Sequence, residues 1–235
     1  MQPRLIGVVS GLVAALFCGL AWPQTDRPEG APWRQDFAIS SCRLATAGRN
    51  PYFILEPGFR LMLEGGDTRL EITVLGETRV VAGNDTRVVE EREWKGGKLY
   101  EAARNYLAIC SETNDIYYFG EEVEFYEGDR VVRRDGTWLA GVGENRPGLL
   151  MPGTPRPGMR YYQEVAPGVA MDKAEIESVS ETCRTPAGTF PDCLRVREET
   201  PLEPGVTEYK YYAPGIGLVR DGELGLIRYG STGNR

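Results

Sequence analysis

Carboxylates are the residues in this sequence whose number and spacing could support chemistry. The chain contains 34 Asp and Glu residues and no His, so the commonest general base and the commonest metal ligand are both missing. The densest acidic segment comprises Asp115, Glu121, Glu122, Glu124, Glu127 and Asp129. Hard cations such as calcium bind oxygen ligands, which makes Glu121, Glu122 and Glu124 weak candidates for metal ligands. Their spacing does not match a calcium-binding loop.

Alternation within this segment offers a simpler interpretation than metal binding. If the segment is a strand, Glu122, Glu124 and Tyr126 lie on one face, while Val123 and Phe125 lie on the other. A solvated face opposite a buried face explains this pattern without any ion, and we favour that interpretation.

Catalysis by two carboxylates is the enzymatic hypothesis that the composition allows. A carboxylate pair can hydrolyse a glycoside when the separation is right and one pKa is raised, but the sequence does not single out a pair. A Ser-His-Asp triad is excluded because the chain has no His. Neither a Gly-x-Ser-x-Gly motif nor a phosphate-binding glycine loop is present. We therefore assign no catalytic residues and expect no cofactor, and a non-enzymatic role is favoured.

Adjacent aromatic residues recur along the chain. They occur at Tyr52-Phe53, Tyr117-Tyr118-Phe119, Phe125-Tyr126, Tyr161-Tyr162 and Tyr211-Tyr212. In a strand, neighbouring side chains point to opposite faces, so each group places one ring in the core and one outside it. The outer rings could line a groove for a lipid, a sugar or a peptide, and we select Tyr117, Phe119, Tyr126, Tyr161 and Tyr211 as candidate ligand-binding residues. The alternative, which is favoured, is cross-strand aromatic pairing that stabilises the sheet.

The first residues have the pattern of a signal peptide. Arg4 is the only charge before an apolar run of 16 residues, Leu5 to Leu20, which is followed by Ala21. The run is short for a membrane span of about 20 residues, so residues 1–21 are predicted to be removed on export to the periplasm or beyond the cell. An uncleaved anchor is the alternative. No later segment is apolar enough to span a membrane.

Net charge limits the partners of the exported chain. Loss of Arg4 changes the formal net charge from −7 to −8, and there is no basic cluster. An acidic chain of this kind is not expected to bind nucleic acid or anionic lipid head groups.

Four cysteines remain after the predicted cleavage. An even number in an exported protein predicts two disulfides. Cys183 and Cys193 flank a hairpin turn at residues 184–189, so we predict the pairs Cys183–Cys193 and Cys42–Cys110. Pairing of Cys110 with Cys193 is the alternative. A zinc site is disfavoured because no Cys-x-x-Cys motif is present.

Strand and turn patterns dominate the rest of the chain. Residues 22–50, which are rich in proline, are predicted to form a flexible arm, residues 51–230 a single β domain and residues 231–235 a disordered tail. Leu70 to Leu75 alternates apolar and polar residues, as a half-buried strand does. The stretch from Leu99 to Cys110 would suit a helix or a strand, and the flanking hairpins favour a strand.

Two glycine-containing segments complete the predicted architecture. Residues 141–160 are so rich in proline and glycine that a long loop is expected, either a functional rim or a simple crossover. The dipeptide Asp221-Gly222 predicts a hairpin. The fold class is therefore all-β, with at most one short helix. Its strongly curved antiparallel sheet is expected to form a half-barrel or open barrel.

Several motifs occur in an order that resembles a widespread family of exported bacterial β-proteins without an established function. They are residues 55–61 (LEPGFRL), 118–122 (YFGEE), 147–152 (PGLLMP), 185–190 (TPAGTF), 201–206 (PLEPGV) and 211–219 (YYAPGIGLV). More remotely, the fourth and the last motif resemble exported proteins related to the lipoprotein carriers. That resemblance implies an open, curved antiparallel sheet with an apolar concave face, and it implies no catalytic residues.

These observations lead to a functional expectation. We expect an exported, non-enzymatic protein that binds an apolar or amphipathic small molecule in the concave face of its sheet, with the tyrosines and residues 141–160 at the rim. An interaction or structural module of the cell envelope, which contacts another protein through a sheet edge or an acidic face, is the alternative. A carboxylate-based hydrolase is the second alternative.

Overall fold

The computed structural model describes residues 32–231, and in this part of the chain strands account for nearly all regular structure. The described residues contain one 3-10 helix, at Ile39–Ser41, and seventeen strands. The strands are β1 (Leu44–Ala45), β2 (Gly48–Asn50), β3 (Phe53–Leu55), β4 (Phe59–Gly65), β5 (Thr68–Val81), β6 (Asn84–Lys95), β7 (Lys98–Cys110), β8 (Ile116–Glu127), β9 (Arg130–Arg133), β10 (Trp138–Leu139), β11 (Gly148–Met151), β12 (Arg160–Tyr162), β13 (Lys173–Thr185), β14 (Gly188–Glu199), β15 (Glu208–Ala213), β16 (Gly217–Asp221) and β17 (Leu224–Ser231). The predicted signal peptide lies outside the described residues, as does the tail beyond Ser231.

Fifteen of these strands form one antiparallel sheet. Its order is β10-β8-β7-β6-β5-β4-β17-β16-β15-β14-β13-β12, while β1 pairs with β7, and β9 and β11 pair with β8. Strands β2 and β3 form a separate two-stranded sheet. The long path begins and ends at different strands, so the sheet does not close into a barrel. The predicted all-β class with a curved antiparallel sheet is confirmed.

Most strand pairs are local hairpins, and one long-range pair joins the two halves of the chain. Strand β17 pairs with β4, with Leu226 opposite Leu63 and Tyr229 opposite Leu61. The sequence places the strand at Leu99–Cys110 and the hairpin at Asp221-Gly222 correctly, because β7 and the β16–β17 connection lie there. The early and late strands therefore share one continuous sheet.

Alternation along the central strands builds the apolar part of the interior. In β5, Leu70, Ile72 and Val74 are buried. Arg69 and Glu71, which occupy alternate positions of the same strand, are partly exposed and form an ion pair. Burying each aliphatic side chain stabilises the fold by about 1.5–3 kcal/mol relative to leaving it exposed. The period of two thus decides which side chains line the concave face.

Residues 141–160 differ from the predicted long loop. Between Pro147 and Pro152 the chain forms the short strand β11, which pairs with β8. Proline is tolerated here because both prolines lie outside the paired residues. Glycine is required at Gly148, since a Cβ there would lie 2.0 Å from the backbone oxygen of Gln163. The segment is thereby held against the sheet, and Leu150 reaches the interior.

The boundary of the folded part also differs from the prediction. Residues 44–50, which were expected in the flexible arm, form β1 and β2, and β1 pairs with the end of β7. The predicted Cys42–Cys110 disulfide is present and attaches this segment to β7. It also rules out the alternative Cys110–Cys193 pair. Sheet pairing and the disulfide compensate for the loop-like composition of the segment.

The second predicted disulfide, Cys183–Cys193, is not present. Both residues are buried free cysteines whose thiols hydrogen bond to each other. A bulged register in the β13–β14 hairpin places Cys193 opposite Glu181 and Cys183 opposite Phe190, so the two cysteines lie diagonally. Burial raises the pKa of the Cys183 thiol to about 12, and hydrogen bonding to Cys193 adds to this effect.

Candidate functional site

The inward-facing positions at the centre of the concave face carry Leu and Ile. Other inward-facing positions of the same face carry ionisable side chains. Glu91 of β6 lies opposite Ile72 of β5, and Glu121 of β8 lies opposite Asn105 of β7. Because inward positions alternate with outward ones, each of these carboxylates points to the same side as the apolar core. The flanks of the concave face are therefore polar, and its centre is apolar.

Strands from the second half of the chain supply the opposite wall. Glu198 of β14 and Lys210 of β15 are both buried. The loop between β12 and β13 adds Glu164 and Asp172, and it is closed by a 2.7 Å hydrogen bond from the Gln163 amide to the Asp172 carbonyl. Three separate parts of the chain thus contribute carboxylates to one interior.

Three adjoining cavities run through this interior. Their volumes are about 40, 70 and 90 Å³. The first two share Glu121, Glu164 and Asp172 in their walls, and the second and third share Glu91 and Lys210. The 70 Å³ space, here called the acidic cavity, shares wall residues with each of the other two.

Apolar side chains line most of the 90 Å³ space, here called the apolar cavity. They come from β3, β4, β5, β11 and β16 and from the β15–β16 connection. They are Phe53, Ile54, Phe59, Leu61, Ile72, Val74, Leu150, Ile216 and Leu218, with Tyr212 beside them. An enclosed apolar space with a few polar groups at one end is the usual form of a small-molecule site.

Lys210 is the single basic residue in the walls of the three cavities. Its Nζ lies 2.7 Å from Glu198 Oε2, and Gln163 donates a 3.0 Å hydrogen bond to the other oxygen of Glu198. Burial alone would lower the pKa of Lys210, but the carboxylates of Glu198 and Asp221 raise it well above its ordinary value. The ammonium therefore remains charged and is already engaged by Glu198.

The other carboxyl groups of the acidic cavity have no such partner. Burial, reinforced by neighbouring carboxylates, raises the pKa values of Glu121 and Glu164 well above the ordinary value. Burial also raises the pKa values of Glu91 and Asp172 to about 7. Glu91 and Asp172 therefore exchange protons near neutral pH, which is a property that active and binding sites share.

The five aromatic residues predicted to bind a ligand lie outside the walls of the three cavities. Phe119 and Tyr161 are fully buried in the core, and Tyr117 packs against Phe37 with ring centroids 6.2 Å apart. Tyr126 lies on the outer face and donates a 2.8 Å hydrogen bond to Glu124.

The remaining aromatic candidate, Tyr211, is stacked under the guanidinium of Arg220. The structure instead places the adjacent residues Tyr118 and Tyr212 at the cavities, and the Tyr118 hydroxyl donates to Asn105. Tyr118 and Tyr212 therefore line the cavities, whereas the selected neighbours Tyr117 and Tyr211 do not.

The three weak metal candidates are not brought together. Glu121 points inward, whereas Glu122 pairs with Arg79 and Glu124 pairs with Arg134 on the outer face. Among the described residues, the one group of three potential ligands within 4.8 Å is Cys42, Cys110 and Glu112. Its two sulfur atoms form the disulfide, so this group lacks the thiolates that bind a metal.

A larger depression lies on the outer face of β6, β7 and β8, with a volume of about 430 Å³. Its acidic residues include Glu90, whose carboxylate lies 2.9 Å from Arg92, as well as the paired Glu122 and Glu124. Because its charges are balanced within the surface, it offers no unsatisfied group to a ligand.

Comparisons of the chain with protein-family models, with curated proteins and with solved structures gave no match. Residues 32–231 contain no helix with the length and apolar character needed to cross a membrane.

The sequence did not identify Glu91, Glu164, Asp172, Glu198 or Lys210 as site residues. A signal for one of them was present: in Glu208-Tyr209-Lys210-Tyr211-Tyr212, Lys210 shares a strand face with Tyr212. A charged residue that shares a strand face with a buried aromatic residue is itself expected to be buried and to pair with an opposite charge.

Proposed function

We propose that this protein is an exported, non-enzymatic binding protein that takes a small amphipathic ligand into the concave face of its sheet. The observation that carries the proposal is the apolar cavity beside the acidic cavity, with Glu91 and Lys210 in the walls of both. A ligand with an apolar and a polar part matches these two environments.

The size of the cavities limits the ligand. Volumes of about 70 and 90 Å³ exceed the roughly 10–15 Å³ that one water requires on the same scale. They suit a slender chain with a small polar head. Leu150, from the segment predicted to form the rim, lines both spaces, so its movement could admit a ligand.

Export is supported by two features of different origin. One is the apolar N-terminal run with its single preceding charge. The other is the Cys42–Cys110 disulfide, a bond that persists in oxidising compartments.

Native mass spectrometry of the protein purified from its exported fraction tests this proposal. We expect a bound mass that is released on denaturation, and uptake of 1-hexanol by the ligand-free protein. Val74→Phe, which fills the apolar cavity, is expected to abolish both. Val80→Phe is the matched control, because Val80 lies on the same strand and is 65% exposed. A bare protein that takes up no probe, or an unaffected Val74→Phe variant, would contradict the proposal.

A carboxylate-based hydrolase is the second candidate. Glu121 and Glu164 line the same cavities and both have strongly raised pKa values, which suits a general acid. Turnover of glycosides or esters that is lost in both Glu121→Gln and Glu164→Gln would favour this function. Absence of turnover together with stoichiometric ligand retention would favour binding.

A further inference from the structure

The walls of the three cavities are strongly unbalanced in charge. Eight carboxyl groups and one ammonium line them. The acids are Glu91, Glu101, Glu121, Asp135, Glu164, Asp172, Glu198 and Glu203, and the base is Lys210. Lys210 is engaged by Glu198 at 2.7 Å. Asp135 pairs with Arg133 at 3.4 Å. The other six acids form no ion pair with the described residues, so protons or a cation from outside the protein would have to neutralise them.

Glu121 is the clearest example of a carboxylate without a basic partner. Its residue is 6% exposed, it lines two of the cavities, and its carboxylate forms no hydrogen bond or ion pair with the described residues. Beyond the effect of burial, the charged groups that raise its pKa are the acids Glu164, Glu101, Glu91 and Asp172. A buried polar group without a partner costs free energy, and a cationic group in the cavity would remove that cost.

The arrangement of the carboxylates favours an organic cation over a metal ion. A calcium ion needs six to eight oxygens in its coordination sphere, but no three carboxylates of the described residues bring oxygens within 4.8 Å of one another. A primary ammonium needs only a few acceptors for its three N–H groups. Aromatic rings of Phe53 and Tyr118 also line the acidic cavity, and aromatic faces attract cations.

We propose that the ligand is a primary amine on a short apolar chain, with its ammonium beside Glu121 and its chain in the apolar cavity. This inference rests on the proposed function, because it uses the same cavities. Glu91, which lines both cavities, contacts the ligand where the charged head joins the chain. Lys210 would attract a ligand carboxylate, but Glu198 already engages it at 2.7 Å and the surrounding acids repel a second anion, so an anionic head group is rejected.

Calorimetric titration of the ligand-free, disulfide-intact protein with three probes of equal chain length tests the inference. The probes are n-hexylammonium, 1-hexanol and hexanoate, at about pH 8, where the carboxyl groups with a pKa of about 7 are mostly ionised. We expect hexylammonium to bind at least tenfold more tightly than hexanol, and hexanoate not to bind. Glu121→Gln should weaken hexylammonium binding at least tenfold and leave hexanol binding within about twofold.

Glu122→Gln is the matched control, because Glu122 is the next residue on the opposite face, and it should leave all three titrations unchanged. Glu164→Gln, which alters the same cavity, repeats the test if Glu121→Gln does not fold. Equal binding of hexanol and hexylammonium, or unchanged hexylammonium binding in the folded variants, would overturn the amine inference and leave the proposed function standing. Failure of every probe to bind would overturn both.

Discussion

Strands β6, β7 and β8 carry glutamates on both faces, and the pairing of these glutamates with basic residues differs between the faces. On the outer face, Glu122 pairs with Arg79 and Glu124 pairs with Arg134. On the inner face, Glu91 and Glu121 have no basic partner beyond Lys210, which Glu198 already engages. Glu121 and Glu122 are adjacent in β8. Glu121 thus lies in an interior where acids outnumber bases, whereas Glu122 lies on a surface where the charges are paired.

The pKa values report the same contrast. Burial would raise the pKa of Glu122, but hydrogen bonds from Arg79 and Tyr106 lower it below its ordinary value. Burial and neighbouring acids raise the pKa of Glu121 well above that value. The outer carboxylates therefore follow the pattern of structural ion pairs, and the inner ones follow the pattern of a site.

The largest expected effect on stability comes from removing the buried lysine of the inner face, and it is compared with the removal of one basic residue of the outer face. Lys210→Met leaves Glu198 and Asp221 buried without their counterion, and should lower the free energy of unfolding by about 3–5 kcal/mol. Arg134→Met removes the partner of Glu124 from an exposed pair and should cost less than about 1 kcal/mol. Urea denaturation at neutral pH measures both. Equal losses would show that the buried Lys210–Glu198 pair contributes no more to stability than the exposed Arg134–Glu124 pair.

The pH dependence of stability should come from the inner face. Burial raises the pKa values of Glu91, Glu93 and Asp172 to about 7 and that of Glu101 to about 8. Between about pH 4.5 and pH 8 the folded protein therefore binds more protons than the unfolded chain, so its stability falls as the pH rises. Glu91 alone, with its pKa raised from 4.5 to about 7, would contribute about 3 kcal/mol to this decline.

Urea denaturation at a series of pH values measures this decline. Glu91→Gln should flatten the curve, whereas Glu124→Gln should leave its slope unchanged. A stability that rises over this window would mean that the inner carboxyl groups are paired and ionised.

A smaller effect of opposite sign is expected from the two adjacent glutamates. At about pH 8, Glu121→Gln removes an unpartnered buried carboxyl group and should raise the free energy of unfolding by about 1 kcal/mol. Glu122→Gln breaks a half-exposed ion pair and should lower it by about 0.5 kcal/mol. Thermal unfolding of both variants checks the signs. A loss in both would indicate that Glu121 has a stabilising partner.

The smallest expected effect concerns thiol reactivity, where burial acts as it does on the inner carboxyl groups. Burial raises the pKa of Cys183 to about 12, and the thiolate is the reactive form. The folded protein should react slowly with a thiol reagent at neutral pH, and the urea-unfolded protein should show two thiols and one disulfide. Absence of titratable thiols after unfolding would contradict the free state of Cys183 and Cys193.

Local features of the sequence were sufficient for the class of the fold. The alternation of Leu70, Ile72 and Val74 predicts a half-buried strand because strand side chains have a period of two. Asp221-Gly222 predicts a hairpin because glycine readily adopts the positive φ that such turns need, and Gly222 has a φ of +52°. The Cys42–Cys110 pair was predicted together with the Cys183–Cys193 pair, and of these two the structure contains only the first.

Burial on both sides of β8 limited the prediction of the aromatic site. Tyr117, Tyr118 and Phe119 are all buried, since β11 packs beside β8 and the disulfide-bonded N-terminal segment covers the opposite side. Period-two reasoning assumes one solvated face, so it could not choose between Tyr117 and Tyr118. The loop predicted from the proline and glycine content of residues 141–160 failed for another reason: the position of β11 depends on the close approach of Gly148 to Gln163.

The amino-acid sequence by itself determined an antiparallel all-β protein and its hairpins, because these depend on side-chain period and turn chemistry within short stretches. Only the tertiary structure decided that Glu91 and Glu121 meet Glu164, Asp172, Glu198 and Lys210 around one interior. That meeting depends on the β4–β17 pairing and on the curvature of the whole sheet. Both are set by packing between residues far apart in the chain, which no local pattern encodes.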